Sequence, residues 1–304
     1  MLHIYLQLVP LFFMFILGIV LRRMNFAEAR HGEFLLKFMF FITLPALVFL
    51  KLSQVELDIH KLSLPLANIG VDLGCMAVTL AVSRFLRISR QTRGSMLVAT
   101  MIANNAFMFP FVLAVFGDQG FAYAVLFDFG NAIITSTLTY AMAFHYGPDH
   151  HTSRTLITKT LRSPLVWALF IAVTMNFLSL SVPHTVRLML DPLGRMTNPL
   201  ILISLGILFS PRLIQLRTLM TTLAIRMGMG LVLGIVIARL LGLHGLAFTV
   251  VALCAAGPVG FNALTYASLA KLDTDFTSGV VSASILLGVL YIPLLMYLIP
   301  LIAG

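Results

Sequence analysis

Charge is what this sequence has least of. Charged residues fill 10% of its 304 positions, against about a quarter in soluble domains, and only 11 of them are acidic. With 60% hydrophobic residues and a mean hydropathy of +1.01, a soluble globular fold is excluded. Cysteine is nearly absent too: Cys75 and Cys254 both fall inside apolar runs, where small buried thiols are ordinary, so neither a disulfide framework nor a metal site is expected. The phosphate-cradling Walker A pattern is missing, and Ser53, Ser95 and Ser268 have no His and carboxylate at a spacing that would make a nucleophile. No enzyme, cofactor or metal chemistry is therefore expected. The net charge of +9 would suit nucleic acid, but the Lys and Arg lie in short turns between apolar runs and form no basic groove, which leaves no nucleic-acid partner. Alternating ten-residue segments of a membrane β-barrel are also lacking.

What is present is a series of apolar runs of about 18 to 22 residues, the length that spans a bilayer as a helix. Ten spans are predicted, at residues 4–21, 34–50, 63–83, 94–116, 121–146, 164–181, 188–209, 218–239, 246–270 and 277–301. With the N-terminus outside, the inner loops hold thirteen Lys and Arg and the outer loops five. The positive-inside rule then puts both termini outside the cytoplasm. One sizeable polar loop divides the chain into a first five-helix repeat over 1–147, a connecting loop over 148–163 and a second repeat over 164–304. Five spans per half force the second half to be inverted. Asp149, His150 and His151 in that loop read as a solvated turn rather than a metal site.

Two spans are broken. Ala103-Asn104-Asn105-Ala106-Phe107-Met108-Phe109-Pro110 interrupts the fourth and Ala256-Gly257-Pro258-Val259-Gly260-Phe261-Asn262 the ninth. Proline removes a donor and clashes with the preceding turn, and Asn offers the backbone competing bonds, so each stretch is expected to unwind. In lipid the freed N–H and C=O groups need partners, and paired broken helices in corresponding halves mark a transporter's binding site. An offset of 154 residues places Asn104 on Pro258, Pro45 on Pro199 and Asp72 on Arg226. The helix breakers of the two halves coincide.

Three charged residues lie well inside spans: Asp72, Asp128 and Arg226. Each costs on the order of 3 kcal/mol to insert and so requires a partner, a wet cavity or a function. Asp72 is the expected proton carrier, and Arg226 is either its ion-pair partner or the cation that meets an anionic substrate. Asp128 is a second candidate for proton or ion coupling, although its place near the outer end of a span also suits water contact. Asn104, Asn105, Pro110, Pro258 and Asn262 are the candidate substrate-binding residues. Helix N-termini meeting at crossed breaks would present free N–H groups and positive dipole ends to an anion.

At these breaks the sequence resembles the auxin efflux carrier family, which includes bacterial permeases for malate, malonate and related acids. Gly257-Pro258-Val259-Gly260-Phe261-Asn262 is similar to that family's Pro-x-x-x-Asn in the ninth span, and Asn104 to Pro110 to its Asn-rich fourth span. Asp72 falls where the family tends to keep an acidic residue. Phe109 stands where bacterial members usually have Gly, and Asn104 is one residue closer to Pro110. The resemblance covers the whole chain and implies an all-α fold of two inverted five-helix repeats with crossing fourth and ninth helices. It also implies elevator-type alternating access, often within a homodimer.

The expectation is thus a secondary transporter of small organic anions such as carboxylates in a bacterial cytoplasmic (inner) membrane, with H+ or Na+ as candidate coupling ions. Two alternatives stay open. One is a sodium-coupled symporter of the bile-acid carrier type, and the other a membrane sensor that binds its ligand without moving it.

Overall fold

The computed structural model describes residues 2–54, 63–148, 163–210 and 214–303, with side chains from residue 8 onward. The polar connecting loop with Asp149, His150 and His151 lies outside the described residues. Every regular element among the described residues is helical: α1 (Leu2–Arg23), α2 (Ala29–Leu52), α3 (Leu64–Ser83), α4 (Arg90–Met101), α5 (Asn105–Tyr146), α6 (Pro164–Phe177), α7 (His184–Leu208), α8 (Leu216–Leu240), α9 (Gly245–Ala255), α10 (Asn262–Leu269) and α11 (Thr274–Ile302). Helices α2, α3, α5, α8 and α11 are long and apolar enough to cross a membrane. Large apolar side chains such as Phe13, Ile16, Phe170, Met189 and Leu290 stand exposed, an arrangement that suits lipid rather than water.

Packing divides the chain into two compact units, each drawn from both halves of the sequence. The first comprises the described parts of residues 1–61, 106–125 and 158–209. In it α1 and α7 approach closely at a pair of glycines. A Cβ on Gly206 would stand 2.2 Å from the Phe15 carbonyl oxygen and 2.8 Å from the Gly18 Cα, so only hydrogen fits at this crossing. Met39–Thr43 of α2 is wound as π-helix just before Pro45, whose missing N–H would otherwise break the ladder. Asn176 of α6 donates to the Leu52 carbonyl at 2.8 Å, satisfying the frayed end of α2. α5 bends at Gly117, where φ is +64°. Asp118, the next residue, pairs with Lys51 at 2.9 Å.

The second unit comprises the described parts of residues 62–105, 126–157 and 210–304, and holds α3, α4, the later part of α5 and α8 to α11. Asp273 organises one end of it. Its carboxylate caps α11 through Phe276 N at 3.0 Å and accepts from the Thr92 hydroxyl at 2.8 Å and the Gln215 amide at 3.1 Å. Gly130 of α5 lies against the first turn of α3, so close that a Cβ there would meet the Pro65 oxygen at 2.1 Å.

Candidate crossing of two broken helices

The second unit contains both breaks, and they meet. α4 ends at Met101 and α5 starts at Asn105; α9 ends at Ala255 and α10 starts at Asn262. Between them Ala103 and Val259 face each other as an antiparallel bridge. Asn104 N donates to the Pro258 oxygen at 2.8 Å and Gly260 N to the Ile102 oxygen at 2.9 Å. Each unwound segment thus supplies the partners the other has lost, the condition for irregular backbone in an apolar surrounding. Val259 N donates to the Ser284 hydroxyl at 3.0 Å, and the Asn131 amide reaches the Ala103 oxygen at 3.4 Å. Gly260 is required by the close approach, since a Cβ there would lie 2.8 Å from Ile102 Cγ2 and 2.9 Å from the Ala103 oxygen.

Two helix C-termini and two helix N-termini converge at such a crossing, and the side chains answer their partial charges. Arg226 lies fully buried in a π-helical stretch of α8, Ala224–Met229. Its Nη2 donates to the Ala255 oxygen at 2.8 Å and its Nη1 to the Thr100 oxygen at 3.2 Å, which places one guanidinium at the C-terminal ends of both α9 and α4. Nη1 also lies 3.3 Å from Asp72 Oδ1. A cation there offsets the negative ends of two dipoles, and Asp72 holds its charge in balance. Of the two sequence readings for Arg226, this geometry displays the ion pair.

Asp128 occupies the opposite pole. Its Oδ1 accepts from Asn105 Nδ2 at 2.8 Å and from Asn131 Nδ2 at 3.0 Å, so a half-buried carboxylate stands at the N-terminus of α5. Sequence position suggested water at the end of a span; the carboxylate is half-buried, with two amides bonded to one of its oxygens. Asn104 and Asn105 are buried, whereas Asn262, the first residue of α10, is exposed. Pro258 sits in its break as expected. Pro110 does not: it lies inside α5, and the chain unwinds at 102–104, before it. Sequence reading passed over Asn68, Asn131 and Ser284. Their signal was an amide or hydroxyl within an apolar run, four residues before Asp72 or three after Asp128.

Among the described residues no three His, Cys, Asp or Glu stand together as a metal site. A cavity of about 530 Å³ lies elsewhere in the second unit, lined by Arg87, Ser89, Gln215, Arg217 and Asp273, and none of the crossing residues lines it.

Residues 3–296 match the membrane transport protein family. The chain is similar to an uncharacterized transporter of Methanocaldococcus jannaschii, 25% identical over 198 residues that make up 62% of this chain and 63% of that one. It is also similar to an uncharacterized transporter of Methanothermobacter thermautotrophicus, 24% identical over 287 residues, 92% of this chain and 93% of the other. The match thus spans less than two thirds of the first relative and nearly all of the second.

Proposed function

The chain belongs to the membrane transport protein family, that of the auxin efflux carriers it resembles, and from that premise we propose that it is a secondary transporter of small organic anions, carboxylates foremost. The observation that carries the reading is the hydrogen-bonded crossing of 102–104 with 258–260, which brings two helix N-termini together around unwound backbone. Of these, the N-terminus of α5 already faces a carboxylate, Asp128, while that of α10 presents the exposed Asn262. An anion therefore finds its more favourable place at α10, with the Asn262 amide as a neutral donor. Arg226, committed to two carbonyls and Asp72, supports the crossing from behind.

The inverted repeat belongs to this proposal. Asp72 and Arg226 are separated by 154 residues, the offset that aligns the halves, and they touch. A residue meets its own counterpart only near a two-fold axis, so the contact favours a pseudo-two-fold arrangement. Elevator motion is also part of the reading, supported by the fact that Asp72, Asn104, Asn105, Asp128, Arg226, Pro258 and Asn262 all belong to one compact unit. An inside-negative potential of 100 mV favours export of a monoanion by about 2.3 kcal/mol, or about fifty-fold, and uptake requires a cation for each negative charge.

The test is exchange of labelled mono- and dicarboxylates across vesicles holding the purified protein. Counterflow is expected for at least one acid, together with a ligand-induced rise in thermal stability. Both are lost in Asn262→Ala, whose exposed site leaves the fold within about 0.5 kcal/mol of wild type. Binding without exchange would overturn transport in favour of sensing, and an unaltered Asn262→Ala would move the anion away from α10.

A further inference from the structure

Oxygen atoms outnumber donors on one side of the crossing. The Asp128 carboxylate receives two amide N–H groups, both on Oδ1, and among the described residues no Lys, Arg or His pairs with it. Arg226, the cation buried in this unit, is engaged by Asp72 and the two carbonyls. Next to Asp128, Asn105 turns its nitrogen to the carboxylate, so its Oδ1 is one amide width away; that oxygen is buried and has no partner. Asn68 of α3 is fully buried with both amide atoms unpartnered. Its Cβ lies 3.0 Å from where a Cβ on Gly130 would stand, which sets it beside the turn of α5 between Asp128 and Asn131. The Ala103 oxygen, freed by the break, accepts from the Asn131 amide at a long 3.4 Å and from no other group among the described residues. Buried polar groups left without partners cost about 1–3 kcal/mol apiece, so a cluster of them calls for a ligand.

We propose that Asp128, the Asn105 and Asn68 side-chain oxygens and the Ala103 carbonyl form a binding site for a monovalent metal cation, sodium in the first place. The inference rests on the transport reading and supplies its coupling ion. One carboxylate with neutral oxygens balances a single positive charge; a divalent ion would leave an uncompensated charge in an apolar surrounding. Carboxylate, amide and carbonyl oxygens are hard ligands, and unwound carbonyls beside a carboxylate are how broken helices hold such ions. A proton would neutralise Asp128 and satisfy one further oxygen, leaving the others unpaired. The site also moves the coupling role from Asp72, which already has its counter-ion, to Asp128, which has none among the described residues. One sodium carried with one monoanion makes the step electroneutral and removes the penalty of about 2.3 kcal/mol per 100 mV on uptake.

The experiment is thermal unfolding of the purified protein in detergent, titrated with sodium chloride against choline chloride at constant ionic strength and at two pH values. A saturable, sodium-specific rise in apparent melting temperature is expected for the wild type. It is absent in Asp128→Asn, which keeps an acceptor for the Asn105 and Asn131 amides and elutes as folded protein. In Asn68→Ala the half-saturating concentration rises about ten-fold or more. A sodium response that persists in Asp128→Asn, or one that choline reproduces, overturns the site. Stabilisation by lowering the pH with no response to sodium overturns it in favour of protonation alone. Carboxylate exchange at fixed sodium separates this proposal from the one it rests on: a chain that exchanges acids but ignores sodium keeps transport and loses the cation site.

Discussion

Replacing Arg226 by Met removes one side chain and disturbs three groups. Asp72 is left as a buried carboxylate without a counter-ion, and the carbonyls of Thr100 and Ala255 lose the donor at the ends of α4 and α9. Removing one partner of a buried ion pair typically costs 3–5 kcal/mol. The lower end applies here, because two of the three contacts are long, at 3.2 and 3.3 Å, and Arg226 Nε and Asp72 Oδ2 make no further bond. The expected loss for Arg226→Met is therefore about 3 kcal/mol. Asp72→Asn should cost less, since the guanidinium keeps both carbonyls. In the double variant Arg226→Met/Asp72→Asn the buried charge is gone, and only the uncapped carbonyls remain to be counted, at about 1–2 kcal/mol together. The double variant should thus be more stable than Arg226→Met alone, by about 1–2 kcal/mol. Chemical unfolding of the four proteins in the same detergent closes the cycle. A double variant no better than Arg226→Met would refute the idea that the carboxylate is what the arginine balances. Wild-type stability in Arg226→Met, with transport alone lost, would make Arg226 a substrate-binding cation after all.

Two further outcomes follow from the packing. Gly260→Val drives a side chain into Ile102 and the Ala103 carbonyl, and should separate the paired breaks at about 1–3 kcal/mol while abolishing carboxylate exchange; Gly260→Ala should be milder in both assays. Gly206→Leu in the other unit should destabilise by a similar amount through the α1 and α7 crossing while leaving sodium-dependent stabilisation of the folded fraction intact, a separation that unfolding with and without sodium measures directly.

The all-helical, membrane-spanning character was legible in the sequence, because apolar length and flanking charge are local properties, although five helices rather than the expected ten are long and apolar enough to cross a membrane among the described residues. The run predicted over 63–83 is the helix Leu64–Ser83, and the one predicted from residue 164 begins at Pro164. The breaks were legible for the same reason, since Asn and Pro act on their own turns. Their positions were less so. Proline at 110 suggested unwinding there, yet α5 carries it in its second turn, and the chain opens at Ile102, whose extended backbone finds Gly260 as its partner. That partner lies more than 150 residues away, and nothing within either break announces it. The offset of 154 did bring Asp72 and Arg226 into one frame, but it could not show that the guanidinium also reaches two helix ends. Asn68 was overlooked because a single amide in an apolar run is unremarkable until its neighbours are known.

The bridge between Ala103 and Val259 has an evolutionary side. Its hydrogen bonds run between main-chain atoms of residues 102, 104, 258 and 260; every residue at 102 and 258 would supply the carbonyl alike, any but proline would supply the N–H at 104, and the Gly260 position is confined to glycine by space. Apart from Arg226, Ser284 and Asn131, which bond the backbone of the breaks and the helix ends beside them, side chains around the crossing are therefore released from the task of building it. On the proposed reading, substitutions at Asn104, Asn105 or Asn262 would retune which solute is accepted while the framework persists, so that a lineage could pass from one cargo to another through intermediates that remain folded throughout.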